Sequence, residues 1–430
     1  KLFKTIAYIC KVNRIPRHIK PQLLEALRLS PVVFLNGARQ TGKSTLVHQI
    51  ASQIGRDGAS ASYVTFDRPT AMAAATAAPE AFLEAYPKPL IIDEVQMVPD
   101  LFRALKVVVD EDRLADKGLI NGNFLLTGSA NILSLPKLSD PLVGRMNVLT
   151  LYPFTTAEAS QGMGNGLARL MQFDFNGISD RGIKLVDAIQ LAGFPEIHQK
   201  PEAERTIWMD SYITTILQRD VKQIAELEKS AVLPQLLRIL AARAGGLLND
   251  SDIAREIGLT SVTTKTYRHI LQMMFLTFNI NPWHRNIGKR LVKAPKGYMI
   301  DTCLLCHMLD LSLSDIAINK PDLFKHILEN YIATEILKQL NNSKINTGLY
   351  HFRTSDGKEV DFILEKPDGS VFAIEVKKSE SLSMNDFKGI QVFAELTGKD
   401  FIGGIVLYAG KEVVPFGTNL WAVPFYMLWQ

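Results

Sequence analysis

The chain predicts an α/β protein: a parallel sheet in its N-terminal third, a helical and winged-helix middle, and a second α/β unit at its end. Three observations carry this. Four short apolar runs, Val32–Asn36, Ser62–Phe66, Leu90–Asp93 and Phe124–Thr127, alternate with helical stretches, as buried parallel strands do. Helical periodicity then dominates from Leu185 to about Ala244. Two-residue alternation returns in Tyr350–Arg353, Glu359–Leu364 and Val371–Lys377.

Composition sets the bounds. The 430 residues are 47% hydrophobic and 21% charged, an ordinary globular balance, with length for about two to four domains. A net charge of +4 neither demands nor excludes nucleic acid, so any basic surface must be local. No apolar run approaches the ~20 residues that cross a bilayer, and no membrane association is expected. The first residues, Lys1-Leu2-Phe3-Lys4, lead into a short mixed segment rather than a secretory h-region, and the chain does not begin with Met. Three cysteines fit a reducing cytoplasm better than a disulfide scaffold. Cys303 and Cys306 form a C-x-x-C without a second Cys/His pair nearby and read as core residues.

The first strand runs into Gly37-Ala38-Arg39-Gln40-Thr41-Gly42-Lys43-Ser44-Thr45, which matches G-x-x-x-x-G-K-[ST] at every fixed position, and Leu46-Val47-His48-Gln49-Ile50 opens a helix. A triphosphate needs its charge neutralised away from bulk water. Inward-pointing backbone N–H groups form an anion nest, and the helix N-terminus adds its positive dipole end. The expected ligand is ATP with magnesium: Lys43 reaches the β/γ-phosphates and the Ser44 hydroxyl binds Mg²⁺.

The third run ends in Asp93-Glu94. Asp93 is expected to hold Mg²⁺ through water, and Glu94 to polarise the attacking water as general base. An apolar run followed by Asp-Glu is common alone, but downstream of a complete phosphate loop it is specific. The fourth run ends Leu126-Thr127-Gly128-Ser129, where Thr127 or Ser129 would sense the γ-phosphate or merely occupy a strand-end turn. In Leu142-Val143-Gly144-Arg145, Arg145 is a candidate finger in cis or in trans, against the plainer reading of a surface arginine. A finger in trans would require a ring or a dimer.

Residues 160–182 are glycine-rich and read as a loop. Arg219-Asp220 reads as a helix-surface ion pair in preference to a pair facing the nucleotide. Asn249–Ile257 and Val262–Leu271, around Gly258-Leu259-Thr260, have helix–turn–helix spacing. The second helix offers Thr263, Thr264, Lys265, Tyr267 and Arg268 to a phosphate backbone. A strand-like Phe275–Ile280 and the basic segment His284–Arg290 complete a winged-helix pattern, which in many proteins serves only packing or protein contact.

In the last unit, alternation puts Glu375 and Lys377 on one strand face with Asp361 on the neighbouring strand, and Glu329 stands on an upstream helix. Asp, Glu and Lys converging at a strand edge can hold Mg²⁺ and activate water for phosphodiester cleavage. E-x-K alone is weak, because charged alternation on an exposed strand is common.

The whole chain resembles an AAA+-type P-loop ATPase family of bacteria and archaea with a winged-helix segment and a C-terminal restriction-endonuclease-like, PD-(D/E)xK, domain. The resemblance rests on Gly37–Lys43, Ile92-Asp93-Glu94-Val95-Gln96, Leu126–Ser129, Leu142–Arg145, Gly193-Phe194-Pro195-Glu196, Gln218-Arg219-Asp220-Val221, Pro295-Lys296-Gly297-Tyr298 and Asp301. It implies nucleotide and magnesium roles for Lys43, Ser44, Asp93 and Glu94, a finger role for Arg145, and a nuclease-like set of Glu329, Asp361, Glu375 and Lys377. The expected units are 1–155 (ATPase core), 156–232 (helical lid), 233–310 (winged helix) and 311–430 (nuclease-like). The expected function is a cytoplasmic ATPase acting on DNA. The alternative is a nucleotide-dependent switch that binds a protein, with an inactive nuclease-like domain.

Overall fold

The computed structural model describes residues 15–429 apart from 116–117, 132–141, 143, 192, 225–226, 228, 287, 289, 291–292, 314–315, 317–318 and 344. Five parallel strands form the N-terminal sheet: β1 (Val32–Asn36), β2 (Ser62–Thr65), β3 (Leu90–Asp93), β4 (Phe124–Gly128) and β5 (Met146–Thr150), in spatial order β2-β3-β4-β1-β5. The continuous apolar runs still alternate. Val33, Leu35, Ile91 and Leu125 face one layer with Leu23 and Leu46. Val32, Phe34, Leu90, Ile92 and Leu126 face the other with Phe102 and Leu105. Each such fully buried side chain contributes about 1.5–3 kcal/mol, so both faces of the sheet are held by helices.

Strand β5 is not among the four strands that the apolar runs predict, though it falls within the expected 1–155 core. Its side chains are mostly half-buried, which weakened the apolar signal. It lies beside β1 at the sheet edge, with Asn36 in register with both Gly128 and Thr150. The phosphate loop therefore leaves the sheet between β4 and β5, at the carboxyl ends of the strands, where open α/β sheets bind ligands.

In the middle, helix Glu202–Thr215 runs into a π turn at Ile216–Asp220. Two helices occupy the segment with helix–turn–helix spacing: Asp250–Ile257, capped by Asn249, and Ser261–Met273, capped by Thr260. Gly258 ends the first helix in the left-handed region at φ 67°, which a Cβ would strain. A hairpin of β6 (Thr277–Pro282) and β7 (Lys296–Met299) follows.

That hairpin does not stop at the expected boundary between residues 310 and 311. Asn281 and Pro282 of β6 pair in parallel with Tyr350 and His351 of β8 (Gly348–Arg353). The sheet continues through β9 (Glu359–Glu365), β10 (Val371–Lys377), β11 (Phe401–Tyr408), β13 (Leu420–Pro424) and β12 (Val414–Gly417). This hairpin and the C-terminal strands form one eight-stranded sheet, joined by a pairing that no local periodicity announces. The long helix Pro321–Asn342 and helix Lys388–Thr397 pack on it. Among the described residues, no helix is long and apolar enough to cross a membrane.

Candidate nucleotide site and a second charge cluster

Gly37 and Gly42 set the loop. Gly37 has φ 145°, and a Cβ there would lie 2.2 Å from the Leu151 carbonyl oxygen of the chain leaving β5. Gly42 has φ 90° and opens helix Lys43–Ile54. Lys43 is buried, and its Nζ donates to the Gly37 and Ala38 carbonyls at 2.9 and 2.8 Å. Burial pushes this ammonium down to about 8, despite the opposing pull of Glu94 and Asp93. Ser44 is half-buried beside it and Thr45 is exposed.

Asp93 ends β3, fully enclosed. The Tyr63 hydroxyl donates to its Oδ2 at 2.7 Å and the Thr127 hydroxyl donates to its Oδ1. Thr127 is thus brought to the carboxylate, one strand over. Glu94 follows in the left-handed region at φ 59°, an uncommon angle for a non-glycine residue. It accepts from the Gln96 amide, and Gln96 also donates to Ser129 Oγ at 3.0 Å. Burial raises the Glu94 carboxyl, the Lys43 ammonium opposing. Lys43, Asp93, Glu94, Thr127 and Ser129 meet at one sheet edge.

Arg145 is not brought there. It precedes β5 at the opposite end of the sheet, where its Nε donates to Asp110 Oδ1 at 2.6 Å. A finger in cis is excluded by that placement. Arg39 and Asp220 correct a second expectation. Asp220 does not pair along its own helix; Arg39 of the phosphate loop donates to both its carboxylate oxygens at 2.9 and 2.8 Å. The π turn is therefore clamped to the loop.

A cavity of about 360 Å³ opens beside Thr41 and Gly42 and is walled by Leu46, Gln49, Phe154, Pro195 and His198. Arg17 fixes its rim. Its guanidinium donates to Thr41 O at 2.6 Å, to Tyr152 O at 2.5 Å and to Glu158 Oε1 at 3.1 Å, and lies 4.8 Å from the Phe154 ring centroid. Gly193, of Gly193-Phe194-Pro195, admits no side chain because a Cβ would sit 2.5 Å from Asp301 Oδ2. Arg17 and Tyr63 escaped the sequence reading, and the partner of Asp220 was not foreseen, since the partners stand 24 to 181 residues away. Gln96 was quoted with its motif, but nothing in the pattern marked its role.

The helix–turn–helix face is less polar than expected. Thr264, Tyr267 and Arg268 are buried, Arg268 pairing with Asp250 at 2.5 Å. Lys265 is exposed and Thr263 half-exposed. In the basic segment Arg290 is buried against Glu365, and Lys289 lies outside the described residues.

The second cluster is buried. Asp361 Oδ2 accepts from Val376 N at 2.9 Å, Glu375 Oε2 accepts from Asp361 N at 3.3 Å, and Lys377 Nζ donates to Glu375 Oε1 at 2.7 Å. Glu329 joins them through a residue not foreseen in this role: Lys296 of β7 lies 2.9 Å from Glu329 Oε1 and 3.7 Å from Asp361 Oδ1. The Tyr298 hydroxyl also donates to Glu329, at 2.9 Å. Burial and then repulsion from Asp361 push Glu329 up to about 7 and Glu375 up to about 8. Lys296 is also raised: burial opposes its charge, but Glu329 and Asp361 overcome it.

Comparison with known proteins separates the regions. Residues 29–160 match the model of an AAA domain, 183–315 a domain of unknown function (DUF8612) and 324–428 another (DUF4143). The chain is 27% identical over 411 residues to an uncharacterised protein of Mycobacterium tuberculosis, covering 95% of this chain and 83% of that one. It is 24% identical over 290 residues to an uncharacterised protein of Haemophilus influenzae, covering 65% and 63%. Among solved structures, it is similar to the Walker-type ATPase PABY2304 of Pyrococcus abyssi, at 14% identity and TM-score 0.40, covering 69% of this chain and 96% of that one. It is also similar to AMPPCP-bound DnaA from Aquifex aeolicus, at 15% identity and TM-score 0.27, covering 59% and 86%. The region that matches the AAA domain model carries the intact phosphate loop.

Proposed function

We propose that this protein hydrolyses ATP with Mg²⁺ and uses the nucleotide state to alter how its helix–turn–helix engages DNA. The observation that carries the reading is the meeting of Lys43, Asp93, Glu94 and Thr127 at one strand edge beside the cavity. The triphosphate lies on loop 37–45, Lys43 exchanging its two loop carbonyls for phosphate oxygens. The nucleoside enters the cavity between Leu46, Phe154 and Pro195. Ser44 and Asp93 present hard oxygen donors that suit Mg²⁺, which when bound would neutralise phosphate charge. Tyr63 and Thr127 fix the Asp93 carboxylate. Glu94, raised by burial, accepts a proton from the water that attacks the γ-phosphorus, and Gln96 orients it.

The Arg39–Asp220 clamp provides the route outward, since a triphosphate on the loop competes with Asp220 for Arg39. Arg145 serves only in trans under this reading, which calls for a ring or dimer. Hydrolysis measured with and without duplex and single-stranded DNA at low salt, alongside particle size in solution, tests it. DNA that neither binds nor changes the rate would remove the DNA half. A protein partner is the second reading, favoured by Val262, an apolar residue 74% exposed on the helix–turn–helix. A rate unmoved by DNA, with a co-purifying protein that changes it, would select that reading.

A further inference from the structure

The geometry points to Lys296 as the resident cation of the buried carboxylate centre: its ammonium stands where a nuclease-like site would hold a divalent metal ion, and the centre binds no metal. Four observations support this. Lys296 Nζ lies between Glu329 and Asp361, within 2.9 and 3.7 Å of one oxygen of each. Those two carboxylates come from different elements and would otherwise be the natural bridge for a metal ion. Three further oxygens are engaged from within the fold: Asp361 Oδ2 by Val376 N, Glu375 Oε2 by Asp361 N and Glu375 Oε1 by Lys377. Among the described residues, no group of three or more His, Cys, Asp or Glu is arranged to hold a metal ion.

The centre is also roofed. Gly245 N donates to Gly297 O at 2.8 Å, and Gly297 N donates to Gly246 O at 3.1 Å, tying the turn after helix Leu233–Ala242 to β7. A Cβ on Gly245 would lie 3.2 Å from the Glu329 carboxyl carbon, so the roof sits directly on it. Glu329, Asp361, Glu375 and Lys296 are all buried, and only Lys377 of the cluster is part-exposed. Lys296 is carried by the wing hairpin, so the wing itself supplies the plug. A buried ammonium between two carboxylates satisfies all three groups, and a dication added beside it would be repelled. The residues of this unit therefore do not fit a catalytic metal, and cleavage of DNA is not among its activities. The inference concerns the C-terminal sheet alone and stands or falls apart from the nucleotide site.

The test counts bound Mn²⁺ by electron paramagnetic resonance on the full chain without nucleotide. The wild type is expected to show no site that depends on Asp361. Lys296→Ala, or Lys296→Met where alanine does not fold, is expected to gain a single Mn²⁺ site that Asp361→Asn removes again. A wild-type Mn²⁺ site abolished by Asp361→Asn overturns the proposal. So does a folded Lys296 variant, verified by circular dichroism, that gains no site. Should neither Lys296 variant fold, the wild type with and without Asp361→Asn still decides the matter, because a resident ammonium and a bound dication exclude each other.

Discussion

Lys43 and Lys296 are both buried and both face acidic residues, and they sit in opposite electrostatic conditions. Among the described residues no carboxylate pairs with Lys43; its Nζ rests on two loop carbonyls and is pushed down to about 8. Lys296 touches two carboxylates and is pushed up. The first ammonium is under-neutralised and stands beside a cavity, which suits a polyanion. The second is fully neutralised under a roof. A lowered lysine alone is not the signature, since Lys88 also falls to about 8 while packed on Phe124 and backbone carbonyls. The pairing of deficit and access distinguishes a receptive site from a structural one.

The sharpest way to break this contrast acts on the receptive side. Glu94→Gln should lower kcat about 10²–10⁴-fold while ATP still binds, measured by phosphate release and by titration of a fluorescent ATP analogue. Retained turnover would remove Glu94 as the base. Lys43→Ala should weaken ATP binding or turnover about 10²–10³-fold, and unchanged affinity would undo the loop assignment. On the closed side, Lys296→Met should cost about 3–5 kcal/mol of stability by urea unfolding at pH 8, because two buried carboxylates lose their counterion.

That cost carries a pH signature. Glu329 and Glu375 hold protons in the folded chain up to about 7 and about 8, against 4.5 ordinarily. Raised folded values mean stability present below about 4.5 and lost as pH rises through 7 and 8. The Lys296→Met deficit should therefore shrink toward pH 5, and a deficit flat across that range would argue against the charge account.

Smaller effects sharpen the link between regions. Asp220→Asn should change ATP affinity or turnover about tenfold by releasing Arg39, read by the same assays. Lys265→Ala should weaken DNA binding only a few-fold and reduce the salt slope by about 1, as loss of one phosphate contact does.

Local chemistry made much of the first region readable. The strand at Val32–Asn36 and the loop at Gly37–Thr45 are where their apolar run and glycines place them, because both signals lie within a few neighbouring residues. The carboxylates at 93 and 94 and the hydroxyl at 127 followed from strand ends in one parallel sheet. Arg145 went astray because sequence order does not say at which end of the sheet a residue emerges. Arg17, Asp220 and Lys296 were illegible in these roles for another reason: each acts through a partner brought near only by tertiary packing. Asp361, Glu375 and Lys377 lie together on neighbouring strands, where their alternation places them, but Lys296 beside them sits on another strand pair.

The pairing of Asn281 and Pro282 with Tyr350 and His351 has a practical consequence. A fragment cut at residue 311 would begin after the wing. It would lose the neighbour of β8 and bare a strand edge, the usual starting point of aggregation. The same cut would leave Glu329 and Asp361 without their ammonium. Production of the C-terminal half in soluble form calls for starting ahead of helix Leu233–Ala242, so that the hairpin travels with the sheet it completes.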